Sequence, residues 1–215
     1  MKYKLVIFDL DGTLLDTIDD LGAAVNHAMQ LRGFPQHTRD ENMRMVGHGA
    51  HNLMRQALPE GHKDDDMVED AYNDFRAFYT NHIDIHTKPF PRIQDLLTTL
   101  HQNGVLLAVA SNKFQEGTEL LIKEFFPNIP FVAVLGNRSG FPYKPSPEIV
   151  EKVLNKASVQ REEAVMVGDS DTDMETATNG GIEGIAVNWG YRDMRGIEGI
   201  NVVETVEELQ KLLLQ

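Results

Sequence analysis

The chain contains no cysteine, and this absence removes several classes of site at once. None of its 215 residues can form a disulfide or supply a thiolate ligand for zinc. A chain without disulfides is typical of a reducing compartment, so we expect a cytoplasmic protein.

Basic residues are also scarce. Lysine and arginine number 20 against 33 aspartates and glutamates, which gives a net charge of -13. Nucleic acids and anionic membrane surfaces are bound by basic patches, so the composition argues against both as partners. An anionic small molecule would have to be attracted by a local cation or by a metal ion.

Long hydrophobic runs are missing near the N-terminus, where the first apolar run covers only residues 5–8. A signal-peptide core needs about 7–15 apolar residues and a membrane helix about 20. Because 41% of the residues are apolar, the chain can still bury a full core. We expect a soluble, unexported protein whose oligomeric state the sequence leaves open.

Five short apolar runs rich in branched residues are present instead. They cover residues 5–8, 105–110, 131–135, 164–167 and 184–187. Each is apolar at successive positions, which indicates strands buried on both faces, as in a parallel sheet covered by helices. Helical patterns separate the later runs, among them a segment that we expect Ser146 to cap, with Pro147 at its first position. The pattern predicts an α/β fold with a doubly wound, Rossmann-like parallel sheet.

The stretch 16–87 interrupts this alternation because it contains helical patterns and no convincing strand. One predicted helical face carries six apolar residues: Ile18, Leu21, Val25, Ala28, Met29 and Leu31. Thr38 and Glu41 have the spacing of a capping box ahead of a second helix. We therefore predict a core of residues 1–15 and 88–215, with a small helical cap domain at 16–87.

Polar residues follow three of the predicted strands. Asp9 and Asp11 follow the first, Ser111 and Asn112 the second, and the acidic stretch 168–173 the fourth. The carboxyl ends of parallel strands share one edge of the sheet, so these groups should converge. Several carboxylates in one cleft need a cation, and oxygen ligands favour Mg²⁺.

A phosphoryl group would fit the same cleft. The Ser111 hydroxyl and an ammonium group, from Lys144 or Lys113, would donate to its oxygens. Gly12 would let the backbone amides approach it closely. Asp9 could then attack phosphorus, while Asp11 protonates the leaving oxygen and later takes a proton from water.

These residues resemble the motifs of the haloacid-dehalogenase-like hydrolases, specifically the phosphoglycolate-phosphatase-like branch. The first motif is the stretch DLDGTLLDT at residues 9–17, the second is SNK at 111–113, the third is Lys144, and the fourth is GDSDTD at 168–173. All four occur in order. The stretch between the first two motifs is similar to the family's small helical cap.

The resemblance implies a role for each matched residue. Mg²⁺ would be held by Asp9, the main-chain carbonyl of Asp11 and Asp169, with Asp173 in support. Ser111 and Lys144 would hold the phosphoryl oxygens, with Asn112 contributing nearby. The resemblance also implies that the first strand is central, with the fourth beside it.

Some residues remain open at this stage. Asp171 is an additional carboxylate in the fourth motif, and we favour Asp173 over it by motif spacing. Lys113 has the position of an exposed residue at a helix start, so we leave it out of the catalytic set. Gly47 and Gly49 could bring a loop to a ligand or form a plain turn, and Trp189 in the stretch NWGYR could pack or contact a ligand.

We expect a Mg²⁺-dependent phosphatase acting on a small phosphorylated metabolite, with 2-phosphoglycolate as the leading candidate. A phosphosugar mutase or a pyrophosphatase of the same family is an alternative, since either would use the same aspartates. A calcium loop at 169–180 is disfavoured because Met174 and Gly180 stand where glycine and glutamate are needed. A non-enzymatic, receiver-like phosphorylation switch is disfavoured because Asp9 follows the first strand and a cap intervenes.

Overall fold

A parallel sheet forms the centre of the molecule in a computed structural model that describes residues 2–197 and 199–215. Within that part of the chain it has six strands: β1 (Leu5–Phe8), β4 (Leu106–Phe114), β5 (Phe131–Asn137), β6 (Ala164–Gly168), β7 (Glu183–Val187) and β8 (Asn201–Val203). Their order is β5-β4-β1-β6-β7-β8, and every neighbouring pair is parallel. The predicted fold class is confirmed, with the first strand central and the fourth predicted strand beside it.

Helices cover both faces of this sheet. They are α5 (Ile93–Gln102), α6 (Gln115–Phe125), α7 (Glu148–Ala157), α8 (Asp171–Gly180) and α9 (Val206–Leu213). Along β1, Val6 and Phe8 join one buried apolar cluster, while Leu5 and Ile7 join another on the opposite face. Successive side chains of a strand point to opposite faces. Continuous apolarity in β1 therefore reflects burial on both sides.

Four helices lie between two short strands that pair with each other. The strands are β2 (Leu15–Asp16) and β3 (Lys88–Pro89), which are antiparallel. The helices are α1 (Ile18–Leu31), α2 (Arg39–Met45), α3 (Ala50–Ala57) and α4 (Asp65–Thr80). We call residues 18–80 the helical insert. Within the described residues, no helix combines the length and apolarity needed to cross a membrane.

Of three local predictions, one is confirmed and two are wrong in detail. The capping box of α2 is present, since Thr38 and Glu41 bond reciprocally. The helix α7 starts one residue later than predicted, because Pro147 occupies its N-cap and the Ser146 hydroxyl donates to the Glu148 carboxylate instead. Leu31 is 59% exposed rather than buried, because it is the last residue of α1 and the apolar face ends before it.

Candidate active site

The strand order brings three separated sequence segments to one edge of the sheet. β1 pairs with β4 on one side and with β6 on the other, so Phe8 lies level with both Val109 and Val167. The amide of Asp9 continues this pairing by donating to the carbonyl of Val167 at 2.9 Å. The side chains that follow the three strands are therefore neighbours.

Three buried carboxylates gather at this edge. One oxygen each of Asp9, Asp169 and Asp173 lies within 4.8 Å of the others. Burial, with repulsion from Asp173 and Asp9, raises the pKa of Asp169 well above its ordinary value. Burial also raises the pKa of Asp9 to about 7, although Lys144 opposes the shift. The cluster is thus short of positive charge and could hold a cation.

Lys144 supplies the ammonium group at the centre of this cluster. Its Nζ donates to Asp9 Oδ1 at 2.8 Å, to Asp173 Oδ1 at 2.6 Å and to the carbonyl of Ala110 at 2.9 Å. Burial alone would lower the pKa of Lys144, but the Asp173 and Asp9 carboxylates outweigh that effect and raise it above the ordinary value. Three carboxylates against one ammonium leave a negative excess that suits a hard divalent cation.

The fourth motif presents Asp173 and not Asp171 to the cluster. Asp173 is fully buried, and its second oxygen accepts from the Ser170 hydroxyl at 2.6 Å and from the Ser170 amide at 3.2 Å. Asp171 is exposed and accepts from the amide of Thr172 at 3.0 Å. The bonds to Ser170 and Lys144 hold the Asp173 carboxylate at the cluster.

Asp11 lies beside the cluster with partners of its own. Its Oδ1 accepts from the Thr17 hydroxyl at 2.7 Å and is 3.1 Å from Lys113 Nζ. The expectation that Lys113 is exposed was wrong, since its side chain is only 2% exposed. The cause is tertiary: Tyr79 of the helical insert covers it and accepts a hydrogen bond from its Nζ at 2.9 Å.

Ser111 and Asn112 have different surroundings. The Ser111 hydroxyl accepts from the Lys113 amide at 3.2 Å and lines the cavity described below. The Asn112 side chain accepts from the Lys144 amide at 2.7 Å and donates to the carbonyls of Lys144 and Gly47, at 3.2 Å and 3.0 Å. The two bonds to the Lys144 backbone hold that residue in place. Asn112 also lines the cavity.

Gly12 makes close packing possible around Asp169. It has a φ of 85°, and a Cβ built on it would lie 2.3 Å from Asp169 Oδ2. Gly190 approaches from the other side, where a Cβ would lie 2.3 Å from the Asp169 Cβ. A larger residue at either position would force Asp169 to move.

A cavity separates the sheet edge from the helical insert. Its volume is about 50 Å³, which is room for only a few water molecules. The sheet edge contributes Asp9, Asp11, Asp169 and Ser111 to its lining. The insert contributes apolar side chains that include Leu21, Leu53 and Phe75. Gly47 and Gly49 also line the cavity.

The stretch after β7 contributes residues whose roles the sequence did not reveal. The amide of Tyr191 donates to Asp169 Oδ2 at 2.7 Å, and its hydroxyl accepts from the Thr17 amide at 2.7 Å. Arg192 donates to carbonyls at and just beyond the end of α2, those of Met43, Arg44 and Val46. The sequence drew attention to this stretch only through the unusual composition of NWGYR, which indicated packing as much as contact with a ligand.

Known proteins resemble the chain over nearly its full length. A phosphoglycolate phosphatase of Mesorhizobium japonicum is 30% identical over 99% of this chain and 98% of its own. One from Vibrio parahaemolyticus is 32% identical over 98% of this chain and 94% of its own. A crystal structure from Lactobacillus delbrueckii subsp. bulgaricus, described as a presumed phosphoglycolate phosphatase, matches with a TM-score of 0.93 and 35% identity over 99% of both chains.

A family model points the same way, since the haloacid dehalogenase-like hydrolase model matches residues 6–187. That span includes all four motifs, the acidic cluster and the whole helical insert. The predicted resemblance is confirmed: the chain belongs to the haloacid dehalogenase-like hydrolases.

Proposed function

We propose that the protein is a phosphatase that hydrolyses a small phosphomonoester, with 2-phosphoglycolate as its leading substrate, through a phosphorylated Asp9. The observation that carries the proposal is the position of Asp9, held by Lys144 within the acidic cluster and facing the cavity, with Asp11 at the same cavity. The activity named for the full-length relatives supports the choice of substrate.

In the first step, an Asp9 oxygen attacks phosphorus and the bond from phosphorus to the ester oxygen breaks. Asp11 gives its proton to that departing oxygen, so the product leaves as a neutral hydroxyl. In the second step, Asp11 takes a proton from water as the water oxygen attacks phosphorus. The bond to Asp9 breaks, and inorganic phosphate is released.

The remaining residues of the site bind and orient the phosphoryl group. The Ser111 hydroxyl donates to its oxygens. The Lys144 ammonium would redirect to them a donor that now bonds a carboxylate of the cluster, since charge-assisted bonds of this kind are strong. Asn112 keeps Lys144 in place through the backbone bonds described above. The backbone at Gly12 can approach the phosphoryl group because no side chain intervenes.

The acidic cluster suits Mg²⁺, a hard ion that prefers oxygen ligands. Asp9, the main-chain carbonyl of Asp11 and Asp169 would hold it, and Asp173 would support them through its bonds to Lys144 and Ser170. When bound, the ion would neutralise charge on the phosphoryl oxygens and the carboxylates together.

We further propose that residues 16–87 act as a cap over a core formed by residues 1–15 and 88–215. The support is that the helical insert begins and ends beside the paired strands β2 and β3, and that it closes one side of the cavity. A cytoplasmic location would fit the absence of cysteine and the small metabolite substrate.

The test measures phosphate release from a panel of phosphorylated metabolites in the presence of Mg²⁺. We expect 2-phosphoglycolate to give the highest kcat/KM, and Asp9→Asn to lower kcat by at least about 10³-fold because the nucleophile is lost. Asp19→Asn is the matched control, since Asp19 is exposed and pairs only with Arg39.

Two results would contradict the proposal. Turnover by Asp9→Asn at the wild-type rate would exclude the phosphorylated Asp9. Isomerisation of a phosphosugar without phosphate release, or a clear preference for pyrophosphate, would replace the phosphatase with one of its family alternatives.

A further inference from the structure

Lys113 is a buried cation that the phosphoryl chemistry above does not use. It lies near the carboxyl end of β4, its side chain is 2% exposed, and it lines the cavity. Its Nζ is 3.1 Å from Asp11 Oδ1 and donates to the Tyr79 hydroxyl at 2.9 Å. An ammonium group has three N–H donors, so these two contacts leave one available.

Two other cations near the cavity are anchored to other groups. Lys144 uses its three donors on Asp9, Asp173 and the Ala110 carbonyl. Arg192 donates to backbone carbonyls of the helical insert. Among the cavity-lining residues in the described part of the chain, Lys113 is therefore the ammonium with a free donor beside Asp11. Arg192 has two further N–H donors but is anchored to the end of α2.

The contact between Lys113 and Asp11 limits the distance from the Lys113 ammonium to the reacting atoms. A proton donor must come within about 2.6–3.2 Å of the leaving oxygen, so the Lys113 ammonium would lie at most about 6 Å from that oxygen if Asp11 Oδ1 is the donor. Lys113 also contacts Tyr79 of the helical insert, so it lies where the insert closes the cavity. A substrate group one carbon past the ester oxygen can reach it.

Tyr79 adds a second donor at the same place. Burial raises the pKa of Tyr79 well above its ordinary value, so its hydroxyl keeps its hydrogen. That hydroxyl accepts from Lys113, and its own hydrogen can point to a further acceptor. Phe75 and Phe114 form apolar walls nearby, where an anion is stable only when it is paired.

We propose that Lys113 and Tyr79 together bind the carboxylate of the substrate and select phosphomonoesters that carry one next to the ester carbon. The inference rests on the proposed function and deepens it, since it assigns residues to the end of the substrate that does not react. Lys113 comes from the sheet and Tyr79 from the helical insert, so this carboxylate site is complete only when both are in place.

The test compares two substrates on each variant. One is 2-phosphoglycolate and the other is ethyl phosphate, in which a methyl group replaces the carboxylate. We expect Lys113→Met to lower the ratio of their kcat/KM values by about 10- to 100-fold, as expected for a lost charged hydrogen bond. Tyr79→Phe should lower it less, because a neutral donor is lost. Lys123→Met, at an exposed lysine of α6, is the control.

The ratio is measured on a single preparation, so the fraction of correctly folded enzyme cancels. If Lys113 only positions Asp11, the kcat/KM values for both substrates will fall by the same factor, and the inference is overturned. An unchanged ratio would overturn it as well. Wild-type enzyme that fails to hydrolyse 2-phosphoglycolate would instead remove the proposed function, so the two failures are distinct.

Discussion

Gly12 is a residue whose conformation and whose neighbour both restrict what can replace it. Its φ of 85° is costly for other residues, and Asp169 occupies the space a Cβ would need. Gly33 has a similar φ of 69° but nothing within 4 Å of a Cβ. The pair therefore separates the cost of the backbone conformation from the cost of contact with Asp169.

We expect Gly12→Ala to lower the free energy of unfolding by about 1–3 kcal/mol more than Gly33→Ala, because only the first forces Asp169 to move. Phosphatase activity should fall with Gly12→Ala alone. Urea unfolding and kcat/KM on one substrate measure the two effects. Equal destabilisation by both variants would show that the contact with Asp169 has no importance.

At the scale of single residues, the sequence indicated the motif residues. It did not reveal the residues from distant segments that contact them. Asp9, Ser111 and Asp169 follow apolar runs, so their shared sheet edge could be inferred from strand logic. Lys113 was missed because its burial depends on Tyr79, which lies 34 positions earlier in a helix. No local pattern carries that information.

At the scale of elements, α2 shows how local chemistry can define a helix. Its Thr38 hydroxyl accepts from the Glu41 amide at 3.3 Å, and the Glu41 carboxylate accepts from the Thr38 amide at 2.7 Å. These bonds satisfy backbone donors that a helix start leaves free. At the other end of α2, Arg192 donates to the Met43 and Arg44 carbonyls.

We expect Thr38→Ala to lower the free energy of unfolding by about 1 kcal/mol, since the cap is lost. Thr38→Ser keeps a hydroxyl at the same position and should stay within about 0.5 kcal/mol of the wild type. Thermal or urea unfolding of the wild type and the two variants measures these differences in the free energy of unfolding. A serine variant as unstable as the alanine variant would exclude capping as the cause.

Elements with strong local signals were predicted well, and elements without them were not. The five apolar runs became strands, and the capping box predicted the start of α2. The edge strand β8 was missed because Asn201–Val203 is only three residues long and begins with a polar residue. Pairing with β7 makes it a strand, and a short segment cannot reveal its partner.

At the scale of the whole molecule, the acidic cluster would link folding to the binding of a cation. Asp9, Asp169 and Asp173 come from distant segments and meet only in the folded chain. A cation that binds this cluster binds the folded state and stabilises it by mass action. Metal binding is therefore measurable without any substrate.

We expect Mg²⁺ at about 100 times its Kd to add about 2.7 kcal/mol to the free energy of unfolding. For a protein of this length the Tm should rise by roughly 5–10 °C. Asp169→Asn should abolish the rise, and exhaustive chelation should abolish turnover. Asp171→Asn is the control, because Asp171 is exposed and outside the cluster. A Tm insensitive to Mg²⁺ in the wild type would contradict the metal assignment.

The order of strands and helices could be predicted from the sequence, whereas the lining of the cavity could not. The alternation of apolar runs with helical segments predicted the parallel sheet, and the change of pattern at 16–87 predicted a helical insertion. The apolar wall of the cavity could not be predicted, because Leu21, Leu53 and Phe75 belong to different helices whose packing decides which side faces the aspartates.

The segment around Tyr191 joins parts of the molecule that are far apart in sequence. Its amide holds Asp169, its hydroxyl holds the start of α1 through Thr17, and the next residue holds the end of α2. Because the segment contacts both Asp169 and the insert, we expect a cation bound at Asp169 to stabilise these contacts, with the coupling equal in both directions. We therefore expect proteases to cut the chain on either side of the insert faster without Mg²⁺ than with it.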